Sequence, residues 1–274
     1  MSYKVAILSD IHGNLTALEA VINDAKMENT TDFWILGDLI MPGPGPSDLI
    51  QILRALPNAL FVKGNWEDYF FEAPSQRLEN AQDIFMGRLA QYHYENLNKD
   101  DIEFIRSLPL SRTISFQGLK ITICHHLPNK NHGRELVHHP DIKQYNLLFK
   151  EDEIDFAIFG HTHHQLFRRL TSTKSILNPG TVGQNFKKAD TAQYAILELD
   201  SKGFKSVKLK EIKYDKAKEI QRAQERNLPY FELYKELLEN GETQKREILK
   251  AELESKYREE TINFYCEYKT RGNE

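Results

Sequence analysis

Val5-Ala6-Ile7-Leu8-Ser9-Asp10-Ile11-His12-Gly13-Asn14 is the stretch on which the fold turns. Its four leading apolar residues form a short continuous run, the pattern of a buried strand, and they open directly into a polar loop. From Leu15 the apolar positions Leu15, Leu18, Ala20, Val21 and Ile22 recur at helical spacing. The unit is strand, loop, helix. It repeats as Phe33 to Leu36, then Gly37-Asp38, the turn Pro42-Gly43-Pro44-Gly45-Pro46 and a helix from Asp48 to Leu56. A third strand, Ala59 to Val62, runs into Gly64-Asn65. Buried strands alternating with amphipathic helices predict a largely parallel sheet covered on both faces. In such folds ligand groups gather outside the carboxyl ends of the strands.

Beyond Glu72 the pattern turns helical as far as Ser107, with Phe85, Leu89, Tyr92, Leu97, Ile102, Phe104 and Ile105 at mixed three- and four-residue spacings. This reads as an inserted helical region. Strand-like runs return at Thr113 to Phe116, Lys120 to Cys124, Asp155 to Phe159, Leu166 to Leu170, Ser175 to Leu177, Tyr194 to Leu199 and Phe204 to Leu209. Their hairpin-like spacing predicts an antiparallel second half. From Asp215 onward two charged helices broken near Asn240-Gly241 carry apolar and aromatic stripes, the pattern of a helical hairpin that docks on the rest.

With 274 residues, 40% hydrophobic and 28% charged, the chain can bury one sizeable core and an accessory part. A formal net charge of −4 without a basic stripe argues against a stable nucleic-acid partner. Two cysteines suggest no disulfide framework. The first apolar run is too short to span a membrane and has no cleavage pattern, so a cytoplasmic protein without a membrane partner is expected.

Asp10, His12, Asp38, Asn65, His125, His161 and His163 share one topological address, each following a strand-like run. A single Asp in such a place is usually a cap or turn residue, and a lone His a hydrogen-bonded structural group. Carboxylates, imidazoles and one amide together suit borderline divalent metals, and their number lets one carboxylate bridge two ions.

These elements, Asp10-Ile11-His12, Gly37-Asp38, Gly64-Asn65, a later His and Gly160-His161-Thr162-His163, resemble the pattern of the calcineurin-like metallophosphoesterase superfamily. Asn178-Pro179-Gly180-Thr181-Val182-Gly183 is similar to a further loop of that family, and the likeness covers roughly residues 3–200. The resemblance implies an α/β sandwich of four layers, α-β-β-α, with the helical insertion at about 72–107. Residues 1–213 would be the catalytic domain and 214–274 the hairpin packed on it.

It further implies that Asp10, His12 and His163 hold one ion, that Asn65, His125 and His161 hold the other, and that Asp38 bridges them. His126 is the alternative to His125, one residue along. The mixed donor set would accept Mn²⁺ or Fe, or Zn²⁺. Two ions ~3.5–4 Å apart would generate a bridging hydroxide for in-line attack.

The departure is Trp66, where many relatives carry a His beside the scissile phosphate. An indole N–H donates only a neutral hydrogen bond, so a leaving group that needs no protonation is favoured. Asn65 would orient substrate, and His126, His132 and Arg134 are candidates to replace the missing acid. Glu67 is read as bonding a nearby ligand or backbone, or as an exposed residue of a helix N-terminus. Trp66, Tyr69, Phe70 and Phe71 would stack a nucleobase or pack under the inserted helices.

The expected function is thus a phosphodiesterase acting on small nucleotides such as diadenosine tetraphosphate. A phosphoprotein phosphatase and a noncatalytic scaffold of the same fold are the alternatives. The oligomeric state is left open.

Overall fold

The computed structural model describes residues 2–75, 78–137, 141–149, 153–185, 187–241 and 257–268. Strand β1 (Ser2–Leu8) lies at the centre of the first sheet, flanked by the parallel strands β2 (Asp32–Ile35) and β3 (Ala59–Phe61). On its other side it pairs antiparallel with β9 (Thr191–Asp200), which carries β10 (Gly203–Lys213). The period-2 alternation of β1 assigns its faces. Ala6 and Leu8 join the core beneath the helices, while Val5 and Ile7 face the second sheet.

That second sheet has the order β4 (Ser111–Phe116), β5 (Leu119–Cys124), β6 (Phe156–Phe159), β8 (Ser175–Pro179), β7 (Gln165–Arg169). Ile121, Ile123, Phe156, Ile158 and Leu177 from its inner face meet Val5, Ile7, Trp34, Leu36 and Val62 from the first. Each fully buried large side chain there stabilises the fold by roughly 1.5–3 kcal/mol.

The first sheet is covered on both faces as expected, by helices on one and by the second sheet on the other. Two expectations are corrected. The first sheet is only half parallel, since β9 and β10 join β1 antiparallel. The second half is mixed rather than antiparallel: β5, β6 and β8 run parallel, and β4 and β7 pair antiparallel at the edges. The all-buried run Phe156-Ala157-Ile158-Phe159 shows why, since a strand apolar on both sides belongs in the middle of a covered parallel segment.

Helix α1 (Leu15–Met27) is capped by Asn14, whose Oδ1 accepts the Ala17 amide at 3.0 Å. Helices α2 (Ser47–Arg54), α3 (Asn65–Glu72), α4 (Ala81–Asn96) and α5 (Lys99–Arg106) follow. Helix is thus already formed at Asn65, ahead of the stretch read as helical from Glu72. The outer face of the second sheet is closed by the short helix α6 (Ile142–Tyr145), a turn of 3₁₀ helix and loops around Tyr145, Leu148 and Phe149.

The tail contains α7 (Lys216–Glu225), α8 (Phe231–Asn240) and a helical segment, α9, at 257–268. Sequence spacing gave one helix up to Asn240. The structure divides it at Arg226–Tyr230, where Pro229 cannot continue the backbone ladder. Glu219 on α7 is fully buried and accepts Thr16 N–H at 3.0 Å, Thr16 Oγ1 at 2.6 Å and Tyr234 Oη at 3.1 Å, which pins the tail to the start of α1. Among the described residues no helix is long and apolar enough to cross a membrane.

Candidate metal centre

The ends of β1, β2, β3, β5 and β6 converge at one edge of the sandwich, and the loops that leave them carry the seven residues singled out in the sequence. Asp10, His12, Asp38, His161 and His163 all have left-handed backbones, with φ of 55°, 52°, 53°, 66° and 55°. This region is uncommon for residues with a side chain, and strain of this kind persists where surrounding structure over-determines it, most often at functional sites. Here the loops hold one another. Asp10 N–H donates to Gly37 O at 3.1 Å, His12 N–H to Asp38 O at 2.8 Å and Gly160 N–H to His125 O at 2.8 Å. Gly37 and Gly64 allow close approach of these loops, because a Cβ on Gly64 would stand 2.1 Å from Asp38 Oδ1 and one on Gly37 2.3 Å from Gly64 N.

The side-chain donors form two adjoining groups. In the first, His163 Nε2 lies 3.1 Å from Asp10 Oδ1 and 3.1 Å from His12 Nε2. In the second, His125 Nε2 lies 3.2 Å from Asp38 Oδ2 and 3.1 Å from Asn65 Oδ1, while His161 Nδ1 is 2.9 Å from the same amide oxygen. Two carboxylates stand between the groups: Asp38 Oδ2 is 3.8 Å from His12 Nε2, and Asp10 Oδ1 is 3.9 Å from His125 Nε2.

These residues fit divalent cations on the structure's own terms. Asp10 Oδ1 is buried, ringed by three imidazole nitrogens, and makes no properly angled hydrogen bond to any of them. A buried carboxylate oxygen without a hydrogen bond is costly unless a cation shares it. The Nε2 atoms of His12 and His163 face each other beside it, and both rings turn their Nδ1 toward backbone carbonyls, Met41 O at 2.9 Å and Gln184 O at 3.2 Å. His125 Nδ1 likewise faces Leu36 O at 2.7 Å. His161 is reversed, with Nε2 on Gly133 O at 3.0 Å and Nδ1 turned inward. Carbonyls accept only, so each ring keeps a proton on the outer nitrogen, which leaves the inner nitrogen as the one that can turn a lone pair to an ion, the arrangement of metal-ligating histidines.

The electrostatics agree. Burial would raise the Asp10 and Asp38 carboxyls, but the surrounding imidazoles hold both below the ordinary range. Burial would lower His125, yet Asp38 and Asp10 push it up to about 10. His12 is brought down to about 4 by burial, against the pull of Asp38.

A surrounding layer fixes the ligands. Ser9 Oγ and the His161 amide both bond Asp10 Oδ2, at 2.5 Å and 3.1 Å. Thr181 Oγ1 donates to Asp10 O at 2.9 Å, and Asn178 Nδ2 to Gly160 O at 2.7 Å, which explains the Asn178–Gly183 loop noted in the sequence. Glu67 is fully buried and accepts three backbone amides, so of its two readings the exposed one is discarded. Asn131 escaped the sequence reading. Its Nδ2 donates to Gly64 O at 2.7 Å and to Asp68 Oδ2 at 2.6 Å, tying the loop after His125 to the Asn65 turn. No local pattern marks it, because its partners lie more than sixty positions away.

The remaining sequence candidates separate. His126 is fully buried, bonded to Glu135 Oε2 at 2.9 Å and packed edge-on against His161, with burial pulling its pKa down to about 4. It therefore stands outside the His125–Asn65 group and is held neutral, its one proton on Nε2 toward Glu135. His132 and Arg134 are exposed on either side of Gly133, whose carbonyl touches His161. Trp66 is half-buried, its ring edge-on to His12 at a centroid separation of 5.4 Å, and Tyr69 is exposed beside it. Phe70 turns the other way, fully buried and stacked on Tyr94, and Phe71 packs under the Arg106 guanidinium.

Carboxylates, imidazoles and an amide gathered at the strand ends of a two-sheet α/β sandwich form a candidate site for divalent metal ions. Residues 3–202 match the model of the calcineurin-like phosphoesterase superfamily domain, and the chain belongs to that superfamily. It is 29% identical over 246 residues to an uncharacterised protein of Methanocaldococcus jannaschii, an alignment covering 82% of this chain and 93% of the relative. Its fold resembles the crystal structure of a metallophosphoesterase from Sphaerobacter thermophilus, with a TM-score of 0.69 and 27% identity over 87% of this chain and all (100%) of that one. A hypothetical protein from Pyrococcus horikoshii has a similar fold, with a TM-score of 0.70, 20% identity, and coverage of 86% of this chain and 97% of the other.

Proposed function

We propose that the protein is a phosphodiesterase that works with two divalent ions on phosphodiester or phosphoanhydride bonds of small nucleotides, dinucleoside polyphosphates such as diadenosine tetraphosphate among them. The observation that carries this reading is Trp66. Its ring stands edge-on to His12, at the position where the family resemblance would put a histidine to protonate the leaving oxygen, and an indole cannot deliver that proton. Losing a general acid costs ~10²–10⁴-fold in rate, a loss that falls hardest on poor alkoxide leaving groups. A nucleotide phosphate leaves without protonation.

When bound, the two ions would neutralise phosphate oxygens and lower the pKa of the attacking water. Asp10, His12 and His163 would hold one ion; Asn65, His125 and His161 would hold the other; Asp38 would reach both. The Asn65 Oδ1 faces two imidazoles, so its Nδ2 is the donor it can offer to a substrate oxygen. The half-buried Trp66 and the exposed Tyr69 beside it support a base-bearing substrate, because aromatic faces at a phosphate site can stack a nucleobase.

The test is side-by-side hydrolysis of an aryl phosphodiester, an aryl phosphomonoester and diadenosine tetraphosphate by chelator-stripped, Mn²⁺-reloaded protein. Turnover of the diester and dinucleotide with little monoester activity is expected. Monoester turnover at an equal rate would remove the argument from Trp66, and two bound ions without any turnover would favour a scaffold.

A further inference from the structure

We infer that His93, on the inserted helix α4, is a positioning residue for the metal ligand His12, acting through the backbone of Met41. The inference rests on the two-ion reading only for the identity of the site it serves. His12 is oriented by one contact of its outer nitrogen, Nδ1 to Met41 O at 2.9 Å. Met41 is itself held in a left-handed conformation, with φ of 53°, and is fully buried. A residue with a side chain needs an external restraint to stay there. The restraint is the Met41 amide, which donates to His93 Nε2 at 3.3 Å.

The chemistry of His93 suits that task. The ring is fully buried, and its Nδ1 faces Leu89 O at 2.9 Å, one turn back on the same helix. A carbonyl accepts only, so Nδ1 carries the proton and Nε2 presents its lone pair to the Met41 amide. Burial outweighs the Leu89 and Gly43 carbonyls and brings the ring down to about 4, keeping it neutral. An acceptor is therefore fixed where the loop needs one. The same loop is gripped from outside. Pro44 O receives Tyr92 Oη from α4 at 3.4 Å and Arg226 Nη1 from the tail at 3.1 Å, and Gly43 N–H returns to His12 O at 2.9 Å. The insertion and the tail thus converge on the segment that aims His12, although neither supplies a residue to the ligand set beyond Asn65.

The experiment uses the full chain stripped of metal and titrated with Mn²⁺, followed by calorimetry and by the Mn²⁺ electron paramagnetic resonance spectrum. His93→Phe keeps a ring but removes the acceptor; His93→Gln can place its amide oxygen near the same amide. Ile84→Ala, a cavity at the other end of α4, controls for loss of stability. Outer partners of a ligating histidine are typically worth 10–100-fold in metal affinity. His93→Phe should weaken one of the two Mn²⁺ by about that factor and break the coupled two-ion spectrum, with His93→Gln recovering most of it and Ile84→Ala leaving both ions bound as in the wild type.

Wild-type affinity for both ions in His93→Phe would overturn the inference. So would an equal weakening in Ile84→Ala, which would reduce the effect to lost stability. A wild type that binds a single Mn²⁺ would instead overturn the two-ion reading, and the role of His93 would be read on that one ion.

Discussion

Glu67 holds Asp38 from behind: its Oε2 accepts the Asp38 amide at 2.9 Å and the Gly64 amide at 2.7 Å, while Oε1 accepts Leu39 N–H at 2.7 Å. One buried carboxylate thereby joins the loop after β2 to the turn that carries Asn65. Burial first, then the neighbouring Asp38, push its pKa up to about 7. Glu67→Gln places an N–H donor against backbone donors. We expect a folded protein with Mn²⁺ affinity lowered roughly 10–100-fold, measured by calorimetric titration. Unchanged affinity would show that the loops are set without it.

Asp38 stands between the two donor groups, so Asp38→Asn should lose metal and abolish hydrolysis while the circular dichroism spectrum stays that of the wild type. Full activity in this variant would remove Asp38 from the bridging position.

Metal loading should release protons. His125 is raised to about 10 in the metal-free fold, so at pH 7 its Nε2 carries a proton that an incoming ion must displace. The apparent Mn²⁺ affinity should rise with pH by roughly tenfold per unit for each proton expelled, until the ring has titrated. The same shift has a stability consequence in the metal-free protein. Because the folded value lies above the unfolded one, the contribution is fully present below about 6.5 and is lost as pH rises through about 10. Calorimetry in buffers of different ionisation enthalpy measures the release, and zero released protons at pH 7 would contradict the raised pKa.

Tyr69 is exposed beside Trp66 and is not one of the donor residues, which makes it the cleaner probe of base stacking. Tyr69→Ala should raise KM for diadenosine tetraphosphate by an amount corresponding to roughly 1–3 kcal/mol and leave KM for an aryl diester within a small factor. A parallel rise for both substrates would assign Tyr69 to general packing.

Glu219 ties α7 to α1 through the Thr16 amide and hydroxyl. Removing it leaves a buried N–H at a helix start without its acceptor, so Glu219→Ala should destabilise the fold by about 1–3 kcal/mol in urea denaturation. A change well under that would mean that water or a shifted neighbour takes its place.

The strands, helices and seven donor residues were legible because each rests on local signals. Continuous apolar runs give buried strands, helical spacing follows them, and polar residues at the junctions stand out. Asp10, His12 and His163 could be grouped only through the family resemblance, and the structure brings them within contact. The direction of β5, β6 and β8 was misread because short apolar runs carry no pairing information: Phe156 could face a parallel or antiparallel neighbour with the same residues. The aromatic run after Asn65 also divided in an unexpected way, with Phe70 turned inward and Tyr69 outward, since a helix distributes adjacent side chains to different faces.

The sequence by itself determined the α/β alternation, the donor chemistry at the strand ends and the absence of an acid at Trp66, because these depend on residue type and spacing along the chain. Only the tertiary structure decided that Glu67 is buried behind Asp38, that Asn131 locks the Asn65 turn, and that His93 reaches Met41 across fifty-two positions. Those contacts are hydrogen bonds between distant segments. Their geometry exists only once two sheets and the inserted helices have packed, and no local propensity encodes it.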